Sequence, residues 1–422
     1  MAAGVCGRLV EGILRHEDKK SRAKDEREER NEKMSYFDET TLVRERGTKR
    51  ARTSGEIEYE VTGEGMEMTI RVEEVREEEF VDEPDVVTLV LGREVKRVGF
   101  GAFARMRKLR KVVVEGTDVE FGEYCFSENE KLEEVEMGLS DVPAWCFYKC
   151  TKLKTVEFVE GEEDRTVWVG VNAFAYCDAL ENVKGAGPWM KFQARAFYMC
   201  VSLKGEFSVG GPEQRIVPEG IFFGCDALEA VEVLEGTVIV GPRVCFGCKG
   251  MKAVVIGESV KKIGEQAFRR CESLTSLKLG MDVRSIGKGA FAKCSNVRSI
   301  RMWSLERVDF GEGVFAWCDA LECFVVPNET RELAQNMFRE CASLKRVVLN
   351  GALQRIGTCC FYSCKKLVEC DFGRAPWLES IGLYSFYETN LQVVDLTECF
   401  VRDIVEGAFH TMRNMHTLLL PV

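Results

Sequence analysis

From residue 86 onward, apolar and polar positions recur with a single period. The clearest copy is KKIGEQAFRRCESLTSLKLG, residues 261–280. With Phe268 as anchor, equivalent positions fall at Phe103, Phe126, Phe147, Phe174, Phe197, Phe222, Cys245, Phe291, Phe315, Phe338, Phe361, Phe386 and Phe409. Successive anchors are 21 to 27 residues apart, most of them 23, and thirteen of the fourteen are Phe. A period in the twenties means a solenoid, in which each unit buries its apolar edge against the next.

The other positions move in step. A Cys follows three residues after the anchor in ten units, from Cys150 to Cys364, and three further on comes an apolar residue, usually Leu. Phe, Cys and Leu at i, i+3 and i+6 predict one face of a short helical turn. Alternation then predicts a strand, as in Leu274 to Leu279. A turn follows, then a second apolar pair such as Val260 and Ile263. After it, Gly264, Gly287, Gly357 and Gly382 mark a place that needs either positive φ or close backbone approach. A buried Phe contributes about 1.5–3 kcal/mol, so the anchors form the main spine.

The recurrence also decides what the cysteines are for. Nineteen are present, and ten catalytic thiols at one repeat position make no chemical sense. Zinc sites need converging ligands, and the chain offers one CxxC, Cys245 and Cys248, with three histidines. The cysteines therefore read as small buried core residues. No Gly-rich phosphate loop, HExxH or GxSxG is present. The sequence indicates no enzyme, no catalytic residue, no metal site and no cofactor.

The string V-x-x-I-G-x-x-A-F-x-x-C-x-x-L-x-x-L-x-L, here Val260 to Leu279, resembles the BspA-like class of leucine-rich repeats. The resemblance runs from about Val86 to Val422. It implies an α/β repeat solenoid: a right-handed leucine-rich-repeat superhelix with a parallel concave β-sheet and short helical turns. It also implies protein binding, and members in bacteria and protists are often surface adhesins. This sequence departs from the adhesin pattern by showing no export signal or anchor.

Outside residues 86–422, the solenoid of about fourteen repeats, the pattern changes. Residues 1–55 are a charged low-complexity tail, with seven basic and seven acidic residues between Glu17 and Lys33. Its composition predicts disorder or partial helix. Residues 44–52, RERGTKRAR, form a basic cluster of the kind that addresses proteins to the nucleus. Residues 56–85 alternate, as in EIEYEV and MEMTIRVEEV, and predict capping strands followed by an acidic loop at Glu77–Asp82. The formal charge of −11 argues against nucleic acid as a general partner. No apolar run reaches the eighteen residues of a membrane span. Reduced cysteines and the missing export signal suggest a cytoplasmic protein, or a nuclear one through residues 44–52.

Solenoids recognise partners along the concave face. Residues expected to point from that face run through Val113, Glu136, Glu157, Glu232, Val255, Lys278, Arg301, Val325, Val348, Asp371 and Asp395. Exposed valines beside opposite charges suit a protein surface, so the expected strip is Val255, Lys278, Arg301, Val325 and Val348. Insertions at 160–168, 210–215 and 373–380 add Trp168 and Trp377 as loop aromatics. The final strand carries Leu418 and Leu420 on an open edge, which invites a partner or a second copy. The expected function is a protein–protein scaffold or adaptor. The alternatives are a surface or secreted adhesin and a nuclear factor.

Overall fold

The computed structural model describes residues 56–63, 65–159, 166–302 and 306–421. The charged tail, its basic cluster 44–52 and residues 160–165 of the first insertion lie outside the described residues. Each repeat contributes a longer strand and a shorter one, and like strands stack in parallel along the array. The longer strands line the inside of the horseshoe in leucine-rich repeats. They form four sheets in succession, of seven, four, three and two strands. The first long-strand pair is antiparallel, Ile57–Thr62 against Gly65–Ile70, and leads into the parallel stack at Val86–Leu91. The alternating N-terminal segments are thus strands, with Met68 and Ile70 buried beneath them.

The anchors behave as their spacing predicts. Apart from the Cys245 position they stack as rings, with centroids 5.1–5.9 Å apart and planes within 24°. Such pairs add about 0.5–1.5 kcal/mol each beyond burial. The row starts one unit earlier than expected. Phe80 stacks on Phe103 at 5.4 Å, so Glu77–Asp82 is a repeat turn and not an acidic loop.

The short helical turns are not there. Among the described residues the sole helix is a 3-10 turn, Phe372–Arg374. The cause is a pair of left-handed residues in every unit, two before and two after the anchor. Around Phe268 these are Gln266 (φ 54°) and Arg270 (φ 64°); around Phe80 they are Glu78 (φ 50°) and Asp82 (φ 60°). Non-glycine residues in that region cost about 1–2 kcal/mol each. What offsets the cost is hydrogen bonding between units. Gln266, Phe268 and Arg270 donate their N–H groups to Lys288, Ala290 and Ala292 carbonyls of the next repeat at 2.8–2.9 Å. An α-helix would have spent those donors within its own segment.

The recurring glycines resolve to close approach. A Cβ at Gly264 would sit 2.5 Å from the Gly241 carbonyl carbon, and one at Gly287 2.6 Å from Glu265 N. The cysteines do more than fill space. Each of the ten donates from Sγ to the carbonyl of the preceding anchor, for example Cys294 to Phe268 at 3.2 Å and Cys364 to Phe338 at 3.0 Å. Where Cys is missing at 129, Asn129 makes the same bond to Phe103 O at 2.9 Å.

Candidate functional site

The strip expected on the concave face sits on the long strands, in two separate pieces. Val255 pairs with Lys278 across neighbouring strands, and Val325 pairs with Val348. Arg301 lies between the pieces, outside any strand, two residues beyond an isolated bridge from Ser299 to Cys323. Lys278 and Arg301 are exposed, but the three valines are half-buried.

The charges on this face divide sharply. Towards the N-terminal end they neutralise one another: Lys184 meets Glu157 at 2.9 Å, and Lys111 lies 3.9 and 4.0 Å from Glu134 and Glu136. Arg346 and Glu369 do the same further on, at 3.0 Å. The side chains of Lys278 and Arg301 make no ion pair or hydrogen bond among the described residues, although the Lys278 charge helps hold the Glu235 carboxyl below its usual range after the bonds from Glu258 and Ser259. Glu206 and Glu232 are likewise exposed and without such a partner among the described residues.

Those two carboxylates flank an irregularity that the sequence did not announce. The seven-stranded sheet ends at Asn182–Lys184 and the four-stranded sheet begins at Glu206–Gly210. Beside the break the segment Ala186–Pro188 lines an open cavity of 470 Å³ together with Ser208, Ala230, Ala253 and Val255. Lys191 fixes that segment. It is buried, and its Nζ donates to Pro188 O at 2.7 Å and Gly210 O at 3.0 Å. Burial holds its ammonium below the ordinary lysine range, against an opposing pull from Glu213. Gln214, from the 210–215 insertion, exchanges both amide bonds with the backbone of Phe192 and stands in for a missing strand partner. Neither residue follows the repeat. Their one sequence signal is that each is polar where neighbouring units place an apolar or freely exposed side chain.

The remaining candidates are scattered. Trp168 is 37% exposed on a short strand, beside the residue row that includes Lys191. Thr166, just before it, bonds Glu213 at 2.7 Å, so the first two insertions touch. Trp377 is 62% exposed in the third insertion, nine repeats away along the chain. Leu418 and Leu420 are exposed at the end of the array, and Thr417–Leu419 pairs on one side only, with Val393–Asp395.

The thiols offer no reactive centre in the core. Burial pushes Cys150, Cys318 and Cys364 up to about 12. Cys245 of the CxxC pair is raised by burial and then by its bond to Cys248. Among the described residues, Cys323 and Cys370 are the half-exposed thiols of the long-strand face.

The model of the BspA type leucine rich repeat region matches residues 73–204, 215–345 and 308–422. The chain belongs to this family. The first boundary takes in Phe80, in agreement with the ring stack. No curated protein matches the chain. Among solved structures, a leucine-rich repeat protein from Bacteroides ovatus is 17% identical over 88% of this chain and 100% of its own, with a TM-score of 0.52. A T. pallidum leucine-rich repeat protein is 28% identical over 40% of this chain and 76% of its own, with a TM-score of 0.33. A leucine rich cell surface protein from Faecalibacterium prausnitzii is 16% identical over 76% of this chain and 94% of its own, with a TM-score of 0.39. The Bacteroides ovatus structure establishes the stacked leucine-rich-repeat architecture and nothing about partners. Among the described residues, no helix is long and apolar enough to cross a membrane.

Proposed function

We propose that this BspA-type repeat chain is a non-enzymatic protein–protein scaffold or adaptor that binds its partner on the long-strand face, across Val255, Lys278, Arg301, Val325 and Val348. One observation carries the reading. On a face where most charges are matched internally, Lys278 and Arg301 stand one repeat apart without an ion pair among the described residues. Half-buried valines border them on both sides. Apolar area next to unmatched charge is the composition of a protein interface, where charge sets register and approach rate. We place the protein inside the cell. The ladder thiols support this, because each of the ten is used as an S–H donor to a carbonyl, a role that oxidation would abolish.

The test is affinity capture from native lysate with the full chain as bait, beside a Lys278→Glu, Arg301→Glu variant. A discrete set of proteins held by the first bait and lost by the second is the expected result. The same proteins on both baits would remove this strip from consideration.

A further inference from the structure

The break in the long-strand sheet has the makings of a recognition slot. The two flanking strands start side by side, where Lys204 N–H donates to Glu181 O at 3.1 Å. They part at Gly205, whose φ of 88° turns the chain away. From there Glu206–Gly210 pairs on one side only, with Ala230–Leu234. In a parallel ladder, alternate residues present their backbone groups to opposite neighbours. Gly205 O accepts Glu229 N–H and Ala230 N–H on the paired side. By that alternation the N–H groups of Glu206 and Ser208 face the break. Gly210 O, on the same edge, is occupied by Lys191 Nζ. The edge is therefore closed at one end by a buried ammonium and open at Glu206 and Ser208.

The 470 Å³ cavity lies along this open stretch. Ala230 and Ala253 in its lining are small, which leaves room for a side chain from outside. Glu206 and Glu232 both line it. A metal ion is a poor fit, since among the described residues no three metal-ligating side chains come together. Free strand edges pair with extended backbone. Unmatched carboxylates beside such an edge select a cationic side chain.

We propose that this slot takes an extended segment of the protein partner, laid along the edge of Glu206–Gly210 with a Lys or Arg side chain between Glu206 and Glu232. The inference rests on the reading of the long-strand face as a protein-binding surface and names the chemistry of what binds there. The unmatched charges then give the partner a polarity: basic at Glu206 and Glu232, acidic two to four repeats on at Lys278 and Arg301.

The experiment uses the full chain and two fluorescein-labelled peptides of alternating Val and Thr, one carrying two lysines and the other two glutamates. Anisotropy should show the lysine peptide binding at least about tenfold more tightly than the glutamate peptide. Glu206→Gln with Glu232→Gln, nearly isosteric and checked for native circular dichroism, should weaken the lysine peptide by about tenfold or more. Hydrogen exchange should slow at the Glu206 and Ser208 amides when peptide is added. Lys278→Glu with Arg301→Glu should leave the peptide affinity in place. Equal binding of both peptides, no binding at about 1 mM, or protection elsewhere on the chain would each overturn the slot. The two readings separate cleanly. If the glutamine variant captures partners from lysate normally while the Lys278, Arg301 variant does not, the face stands and the slot falls.

Discussion

Asn129 tests the idea that the Cys position works as a donor and not as filler. Its side chain is fully buried and makes three bonds. Nδ2 donates to Phe103 O and Phe126 O, both at 2.9 Å, and Oδ1 accepts Met106 N–H at 2.6 Å. Phe126 O keeps a second partner, Cys150 Sγ at 3.2 Å, but Phe103 O and Met106 N–H have no other bond among the described residues. Asn129→Ala therefore orphans one buried acceptor and one buried donor. At about 1–3 kcal/mol for each of the two stranded groups, the loss should be about 2–6 kcal/mol. Asn129→Cys restores the arrangement of the other units, where Sγ donates to the previous anchor and the backbone N–H of the Cys position bonds its own anchor, as Cys150 does to Phe147 at 3.1 Å. Its cost should stay within about 1.5 kcal/mol. Urea unfolding of the full chain, followed by circular dichroism, gives the two values. Repeat arrays need not unfold in one step, so exchange of the Met106 amide serves as the local readout. If Cys and Ala lose the same stability, or Ala loses less than about 1 kcal/mol, the donor role is refuted.

Two further outcomes follow from the charges and thiols. Iodoacetamide on the native chain should modify Cys323 first among the described cysteines, as read by peptide mass mapping. Cys370, although partly exposed, is raised by burial and then by Asp371 and should lag, and the ladder cysteines should react only on unfolding. Early loss of a ladder thiol such as Cys294 would count against the packing described. Glu322 is exposed and Glu133 and Glu181 are half-buried, and all three carboxyls are held below their ordinary range, first by hydrogen bonds from Lys345, Lys154 and Lys204. A depressed folded value means that the unfolded chain binds the proton first. Their contribution is present above the ordinary glutamate range and fades as pH falls through the lowered folded values. Charge-neutral Gln at all three positions should flatten that acid limb slightly, since exposed pairs contribute little, and an unchanged limb would assign it to other carboxylates.

How far the sequence could be read differs from residue to residue. The anchors, the Cys ladder and the strand at Leu274–Leu279 repeat as side-chain types, and each maps onto its expected place in the fold. Phe80 was legible too, being 23 residues before Phe103, but the glutamates around it hid the register. The helical turn was misread for a different reason. Spacing of i, i+3, i+6 is satisfied equally by a helix and by consecutive tight turns, and residues such as Gln266, Arg270 and Lys293 carry no compositional mark of their left-handed backbone. In the candidate site, Glu232, Lys278 and Arg301 stood in the expected row. Glu206, Lys191 and Gln214 did not, because their roles come from a sheet interruption and not from the period.

The sequence by itself determined the repeat, its core and the row of residues on the long strands, because these depend on which side chain occurs at which place in a local period. Tertiary structure alone decided the rest. Whether the turn is a helix depends on where its N–H groups find acceptors, and those lie one repeat away at Lys288, Ala290 and Ala292 for the Phe268 unit. Whether the sheet continues past Lys184 depends on the turn at Gly205 and on the buried Lys191 that holds Pro188 and Gly210 together. Hydrogen bonds between neighbouring repeats, such as Gln266 to Lys288 and Lys191 to Gly210, leave no trace in local pattern, and they set both the backbone of the repeat and the edge at Glu206.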